Sequence, residues 1–440
     1  MIFAALSVLA TCIVSIGLTV GILRDRSLLL KPSIVVLGFY HLCIQWPSTL
    51  YATIGPGLDF VARRGLDSFY TDWAVPWGWH FFVLAQVFPL MGLFGSLFIF
   101  RRSAREQWSR ITVTSESSLL FFHLVLGLMI LAVVVYYFSV VPLQKTGLYA
   151  ILFSPANYAF ARENSLKLLT DKKLQYLFSW MTSVLVPFFC VTASFAAWDC
   201  LKRRRMIPGV ILIVLIVIGI VASSLTGAKW PPAFTIFVLI LAWLLRRKMR
   251  FSFWGGIAAF CLILGLPVVF TIMRAPSLLW MDAVWLMLHR TFFAPMEACR
   301  DYVRYTMEVG YLGIAAYPKL ARLVDVIPID LPNVIHRYYF NHSVQTGSHT
   351  ASFVFFNYAA FGIGSFIISL LSLWALDLLT LFYRFIANST LLIACMAVVT
   401  AASTSFVSSD YMVTLVTHGV VVSFGVAIFL EWAGALWQKR

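Results

Sequence analysis

Charge is scarce in this chain. Of 440 residues, 12% are Asp, Glu, Lys or Arg and 61% are hydrophobic, whereas a soluble domain is closer to a quarter charged. The mean hydropathy is +0.88, which leaves no room for a separate soluble domain. Cysteine pattern is also missing. The seven cysteines, Cys12, Cys43, Cys190, Cys200, Cys261, Cys299 and Cys395, are scattered, mostly within apolar runs, and form no CxxC pair. This argues against a disulfide framework or a thiolate metal site and for buried inert thiols. There is no repeat at solenoid spacing and no low-complexity stretch. The two halves show no clear inverted repeat, which weakens a transporter reading. The first apolar run begins at Met1 without a basic lead-in, and no small-residue cleavage pattern precedes Arg24. It is expected to be a retained span and not a signal peptide.

What is present is a series of apolar runs of membrane-crossing length. They fall at 2–23, 33–53, 77–100, 118–141, 176–199, 208–226, 231–245, 252–273, 351–376, 387–407 and 412–433. About 20 residues cross a hydrocarbon core as a helix, so the expected fold is all-α, a polytopic membrane protein with about eleven transmembrane helices. Pro231 and Pro232 would sit in the first turn of the short run, where proline costs no hydrogen bond. Three regions follow: 1–273 with eight spans, 274–350 as one large loop with short helices, and 351–440 with three spans.

The basic residues orient these spans. Arg24, Arg26 and Lys31, then Arg101, Arg102, Arg105 and Arg110, then Lys202 to Arg205, Arg246 to Arg250, Arg384, and Lys439 with Arg440 all fall on one side under eleven spans. That side carries 18 basic and 6 acidic residues, the other 15 and 12. Short basic loops stay in the cytoplasm, so the N-terminus and the 274–350 loop are expected outside and the C-terminus inside. The net charge of +15 is thus mostly a topology signal, and no nucleic-acid partner is expected.

The outer side holds the candidates for chemistry. Lys229 lies in the tight turn Thr226-Gly-Ala-Lys229-Trp-Pro-Pro, where it is either a snorkelling anchor or a phosphate contact. Arg290 follows an apolar, aromatic stretch, 278–288, that reads as an interfacial helix. An arginine there needs an anionic partner, and its planar fork suits a diphosphate. Glu297, Arg300, Asp301, Arg304 and Glu308 follow at helical spacing, which also fits a solvated helix laced with its own ion pairs. His349 ends a polar, Gly-containing loop at the mouth of the next span, where it could pass a proton. Arg162 sits in the outer 142–175 loop.

The order Arg290 to Pro295, an aromatic-rich segment from Tyr302 to Tyr339, Gly347-Ser348 and Phe353, then Tyr358-Ala-Ala-Phe361-Gly362-Ile-Gly364-Ser365 resembles bacterial O-antigen polymerases of the Wzy type. The Thr226 to Lys229 turn is similar to one shared by those polymerases and the related O-antigen ligases. The likeness covers about a third of the chain, 226–370, and an Arg-x10-Gly pattern described in some members is not found.

The resemblance implies a membrane glycosyltransferase of the GT-C superfamily in the bacterial inner membrane, acting in lipopolysaccharide or related polysaccharide biosynthesis at the periplasmic face. It would polymerise oligosaccharide repeat units carried on undecaprenyl diphosphate, as donor and acceptor, with membrane lipids around it and a chain-length regulator as an optional partner. No cofactor is expected. No acidic pair of the DxD kind stands at the outer face, which fits a reaction without metal. Arg290, Lys229, Arg162 and Arg304 would bind the diphosphate. Arg290, His349, Glu297 and Asp301 would be catalytic, His349 as first choice of base because the ligases carry a histidine near that place. The ligase's fuller His-x-His-Asn pattern is absent, which favours polymerase. The alternatives are an O-antigen ligase passing glycan to a lipid A core, and a lipid-linked glycan transporter or flippase.

Overall fold

The computed structural model describes residues 2–54, 76–111, 119–153, 172–226, 230–248, 265, 268–269, 271–272, 279–340, 350–408, 415 and 418–438. About 89% of these residues are helical and none forms a strand. Among the described residues seven helices are long and apolar enough to cross a membrane, and Pro231–Arg246 and Val420–Leu436 are shorter apolar helices. The protein is therefore an all-α protein with membrane-spanning character.

In chain order the helices are α1 (Ile2–Arg24), α2 (32–54), α3 (76–98), α4 (Arg101–Arg110), α5 (Leu119–Val140), α6 (Gly147–Phe153), α7 (172–202), α8 (Met206–Ser223), α9 (Trp230–Arg246), α10 (280–309), α11 (Pro318–Leu323), α12 (Leu331–Phe340), α13 (Phe353–Phe385), α14 (Ser389–Val407) and α15 (Val420–Gln438). Most of the expected spans match a helix to within a few residues. The run at 351–376 continues to Phe385, and the expected span 252–273 lies almost wholly outside the described residues.

The helices are clothed for lipid. On α1 the buried residues are Ser7, Thr11, Val14 and Leu18, one stripe at helical spacing, while Leu9, Ile16 and Leu23 are exposed. The apolar surface points outward and small polar groups point in, because hydrocarbon solvates Leu as well as a protein core does. The polar residues of α2 keep it out of the seven long apolar helices.

The chain divides into two compact units. The first comprises Met1–Arg105, Trp285–Leu381 and Ser403–Thr414, with α2 at its centre, touching α1, α3 and α10; α13 packs on α3 and α10. Close approach of α3 to α13 rests on glycine. A Cβ at Gly95 would collide with the Trp374 ring, whose Nε1 donates to the Gly92 carbonyl at 3.2 Å. The second comprises Glu106–Val284, Phe382–Ala402 and Leu415–Arg440, with α7 as its hub against α5, α8 and α9.

Two charge clusters pin the first unit at its basic end. Asp25 receives Arg101 Nε at 2.9 Å and Arg105 Nε at 2.7 Å. Lys31 and Asp377 form a wholly buried pair at 3.0 Å. Lys31 Nζ also donates to the carbonyls of Ser96 and Ile99, which end α3 without helical partners, the place where a cation suits a helix terminus.

Candidate functional site

Three helices of the first unit share a local defect with one cause. Each of α2, α3 and α10 contains a π-turn, at His41–Gln45, Val83–Val87 and His289–Phe293, and each turn is followed two residues later by proline: Pro47, Pro89 and Pro295. A helix-interior proline offers no N–H and pushes against the carbonyl four residues back. Widening the preceding turn relieves the clash: Trp46, Phe88 and Ala294 donate instead to the carbonyls of His41, Val83 and His289, five residues back. Such turns recur at functional sites. The α2 turn touches both of the others, so the three meet at one place.

Polar side chains converge there. Gln86 Nε2 lies 2.6 Å from Ser48 Oγ and 3.0 Å from Thr49 Oγ1. Thr11 Oγ1 lies 2.7 Å from Thr49 Oγ1 and 3.3 Å from Gln86 Oε1. His41 bonds Gln45 Oε1 through Nδ1 at 2.7 Å and Ser15 Oγ through Nε2 at 2.8 Å. Gln45 Nε2 is buried without a hydrogen-bond partner among the described residues. A polar seam thus runs through α1, α2 and α3 in a chain otherwise dressed for lipid, where every such group must be satisfied internally.

The seam's charged neighbours sit on α10. Glu297 Oε1 accepts from His289 Nε2 at 3.0 Å and lies 3.5 Å from Tyr51 Oη. His289 stacks on Phe293, 9° from parallel, and Phe293 meets Tyr51 edge-on. Arg300 donates Nε and Nη2 to Asp301 Oδ1 at 2.8 and 2.6 Å. His289, Glu297, Arg300 and Asp301 are 6, 8, 5 and 2% exposed. This corrects the solvated-helix alternative for Glu297 and Asp301, because α10 is buried from Met296 to Val303; Glu308, paired at the surface with Arg304, fits that alternative. Burial of that kind is costly unless the charges are paired, and here they are. Cys299, in the same buried stretch, has its thiol pushed up to about 12 by burial, which keeps it inert.

The stretches of α10 on either side of this buried segment meet the surroundings. Arg290 is exposed and pairs with no described residue. Arg304 Nε donates to Glu308 at 2.8 Å, which together with the nearby charge raises the guanidinium above its usual range. Glu308 also accepts from Tyr338 Oη at 3.1 Å, and the Arg304 guanidinium lies 5.7 Å over the Tyr339 ring.

Of the residues expected from sequence, the structure therefore brings Arg290, Glu297, Asp301 and Arg304 onto one helix, the first and last half-exposed or exposed and the other two buried. Lys229, Arg162 and His349 lie outside the described residues. His289, Arg300, Tyr51, His41, Gln45 and Gln86 were not expected as site residues. The available signal was a proline inside an apolar run with a polar residue in the turn before it. Among the described residues no group of three or more His, Cys, Asp or Glu is placed to hold a metal ion. No protein-family model, curated protein or solved structure matches the chain.

Proposed function

We propose that the protein is a membrane glycosyltransferase that polymerises undecaprenyl-diphosphate-linked oligosaccharide repeats, an O-antigen polymerase of the GT-C type. In this reading it has eleven spans in the bacterial inner membrane, with the N-terminus and the 274–350 loop in the periplasm. The observation that carries the reading is on α10. A buried carboxylate–histidine pair, Glu297 with His289, adjoins an exposed cation, Arg290, which has no ion pair among the described residues.

The chemistry follows from that pairing. An acceptor sugar hydroxyl attacks the anomeric carbon of the donor glycan. The bond from that carbon to the diphosphate oxygen breaks, and its electron pair leaves with undecaprenyl diphosphate. Arg290 meets the developing charge, a term that preorganised cations supply efficiently. The hydroxyl proton passes to Glu297 or to His289 beside it. Asp301 is the weaker base, since one of its oxygens already takes two bonds from Arg300. Arg304 is the weaker diphosphate ligand, since Glu308 holds it. Lys229, Arg162 and His349 keep their proposed roles.

One observation favours a second reading. The polar seam and the π-turned helices are what a path for a lipid-linked glycan through the membrane would need. Purified protein mixed with its undecaprenyl-diphosphate repeat unit separates the two. The transferase reading expects a ladder from the wild type, lost in Arg290→Ala and cut about 10²- to 10⁴-fold in Glu297→Gln, the usual worth of a general base. A full-rate Glu297→Gln removes Glu297 as the base. No ladder from folded wild type, with movement of the lipid-linked repeat across vesicle membranes instead, replaces the transferase by the transporter.

A further inference from the structure

Between α10 and α12 the chain makes an apolar finger that no described element covers. Leu323 is 78% exposed, Ile327 84%, Val324 53% and Val326 41%. The finger is built to present them. After α11 the backbone reverses at Asp325, which takes the left-handed conformation at φ +53°. The amides of Val324 and Val326 both return to the Ala321 carbonyl, at 3.2 and 2.8 Å, a helix stop that leaves Leu323, Val324 and Ile327 on its outside.

The finger's root is fixed against α13. Leu312 N–H donates to the Ala359 carbonyl at 3.0 Å, and Ile329 N–H ties back to Ala315 at 2.9 Å. Tyr317 stacks on Phe361 and bonds Asn357. Tyr311 presses on Gly362, where φ is +70° and a Cβ would lie 2.7 Å from the ring.

That contact sets a depth. Exposed apolar residues on α13 run from Phe361 through Ile367, Leu371, Leu378 and Phe382 to Phe385, beside Arg384. About 20 residues, at ~1.5 Å each, span a ~30 Å core, and counted back from Arg384 they end near Gly364. The root of the finger therefore sits at the level where α13 leaves the hydrocarbon. Arg322, exposed and unpaired with any described residue, flanks the apolar tip. A long basic side chain beside apolar groups at this level reaches lipid phosphates while the apolar groups enter the acyl boundary.

We propose that the 318–329 finger inserts its apolar tip into the membrane leaflet at the end of α13 remote from Arg384, with phospholipid as its occupant. This does not rest on the transferase reading. Exposed apolar residues of this size without a partner would otherwise be an association hazard.

The test uses full-length protein in vesicles of phosphatidylcholine and phosphatidylglycerol. With the seven native cysteines replaced, an environment-sensitive nitrobenzoxadiazole dye is attached at Ile327→Cys, at Leu323→Cys and, as a control, at Asp330→Cys. Blue-shifted emission at 323 and 327, quenched by nitroxide-bearing lipid and resistant to aqueous iodide, with the reverse at 330, is the expected result. Iodide quenching equal at all three positions overturns the proposal. If the cysteine-free chain does not fold, a benzophenone amino acid at position 327 of the otherwise native chain decides. A photo-adduct with phospholipid supports insertion. An adduct with a protein, or with nothing, overturns it.

Discussion

At the scale of single residues, environment decides what a side chain does. Glu297 and Glu308 share one helix and the same chemistry, yet one is buried against His289 and the other is held at the surface by Arg304 and Tyr338. The sequence spacing could not separate them. The two lie eleven residues apart on one face, and helical spacing is silent on which stretch of a helix finds neighbours. Asp25 gives a quantitative case. Burial works to raise its pKa, but hydrogen bonds from Ser27, Arg101 and Arg105 outweigh it and hold the carboxyl at about 2, from 3.8. A depressed acid contributes stability above its unfolded pKa and loses it as pH falls through the folded value. The contribution is therefore complete above about pH 4 and gone below about pH 2, and is at most about 2.5 kcal/mol at ~1.4 kcal/mol per pH unit. It is smaller in high salt, since both arginines are more than a third exposed. Thermal unfolding in detergent between pH 2 and 5 is expected to show this slope in wild type and a flatter one in Asp25→Asn. Identical slopes would mean the cluster adds nothing.

At the scale of elements, the helices were legible and their irregularities were not. Hydropathy alone placed α1, α3, α5, α7 and α8, because a helix long enough to cross a hydrocarbon core must be predominantly apolar. It did not reveal the π-turns, although Pro47, Pro89, Pro187 and Pro295 were in plain view. Each proline follows a widened turn, including Met181–Leu185 of α7, so a proline within such a run marks a register shift and not a helix end. The run at 351–376 ended too early for a similar reason. Asp377 looks like a boundary, but it is wholly buried, paired with Lys31 and accepting from the Ser33 amide and hydroxyl at 3.0 and 2.7 Å. That pair joins α2, α13 and, through the Lys31 bonds to Ser96 and Ile99, α3. Breaking a buried pair leaves an uncompensated charge and costs about 3–5 kcal/mol, while removing both charges costs far less. Lys31→Met is therefore expected to lower the melting temperature strongly, and Lys31→Met/Asp377→Leu to recover part of the loss. A double variant as unstable as the sum of the singles would show that the ion pair itself does not couple the three helices.

At the scale of the whole molecule, charge placement carries the argument. In the proposed eleven-span topology Arg24, Arg101 to Arg110, Lys202 to Arg205 and Arg246 to Arg250 would share the side where acids are fewest, and several of those acids are already committed. Asp25 and Asp199 hold arginines, Asp199 receiving Arg246 Nη2 at 3.0 Å. Local pairing therefore leaves most of the positive excess to act on orientation, and in the proposed topology the positive-inside rule would put it in the cytoplasm. In that topology the opposite side would carry α10, where acids and bases are nearly balanced and mostly pair with one another. A site for a negatively charged lipid diphosphate there would rely on individual cations such as Arg290 and not on a general positive field, so its affinity would fall only modestly with salt. The topology on which this depends is open to direct measurement. A fluorescent-protein fusion after Ile111 or at the C-terminus is expected to glow, and an alkaline phosphatase fusion after Phe340 to be active, since the first matures inside and the second outside. Phosphatase activity at both 111 and 340 would place the basic loops and α10 on one side. That result would put an even number of crossings between them and remove the periplasmic placement of Arg290 and Glu297 on which the transferase reading stands.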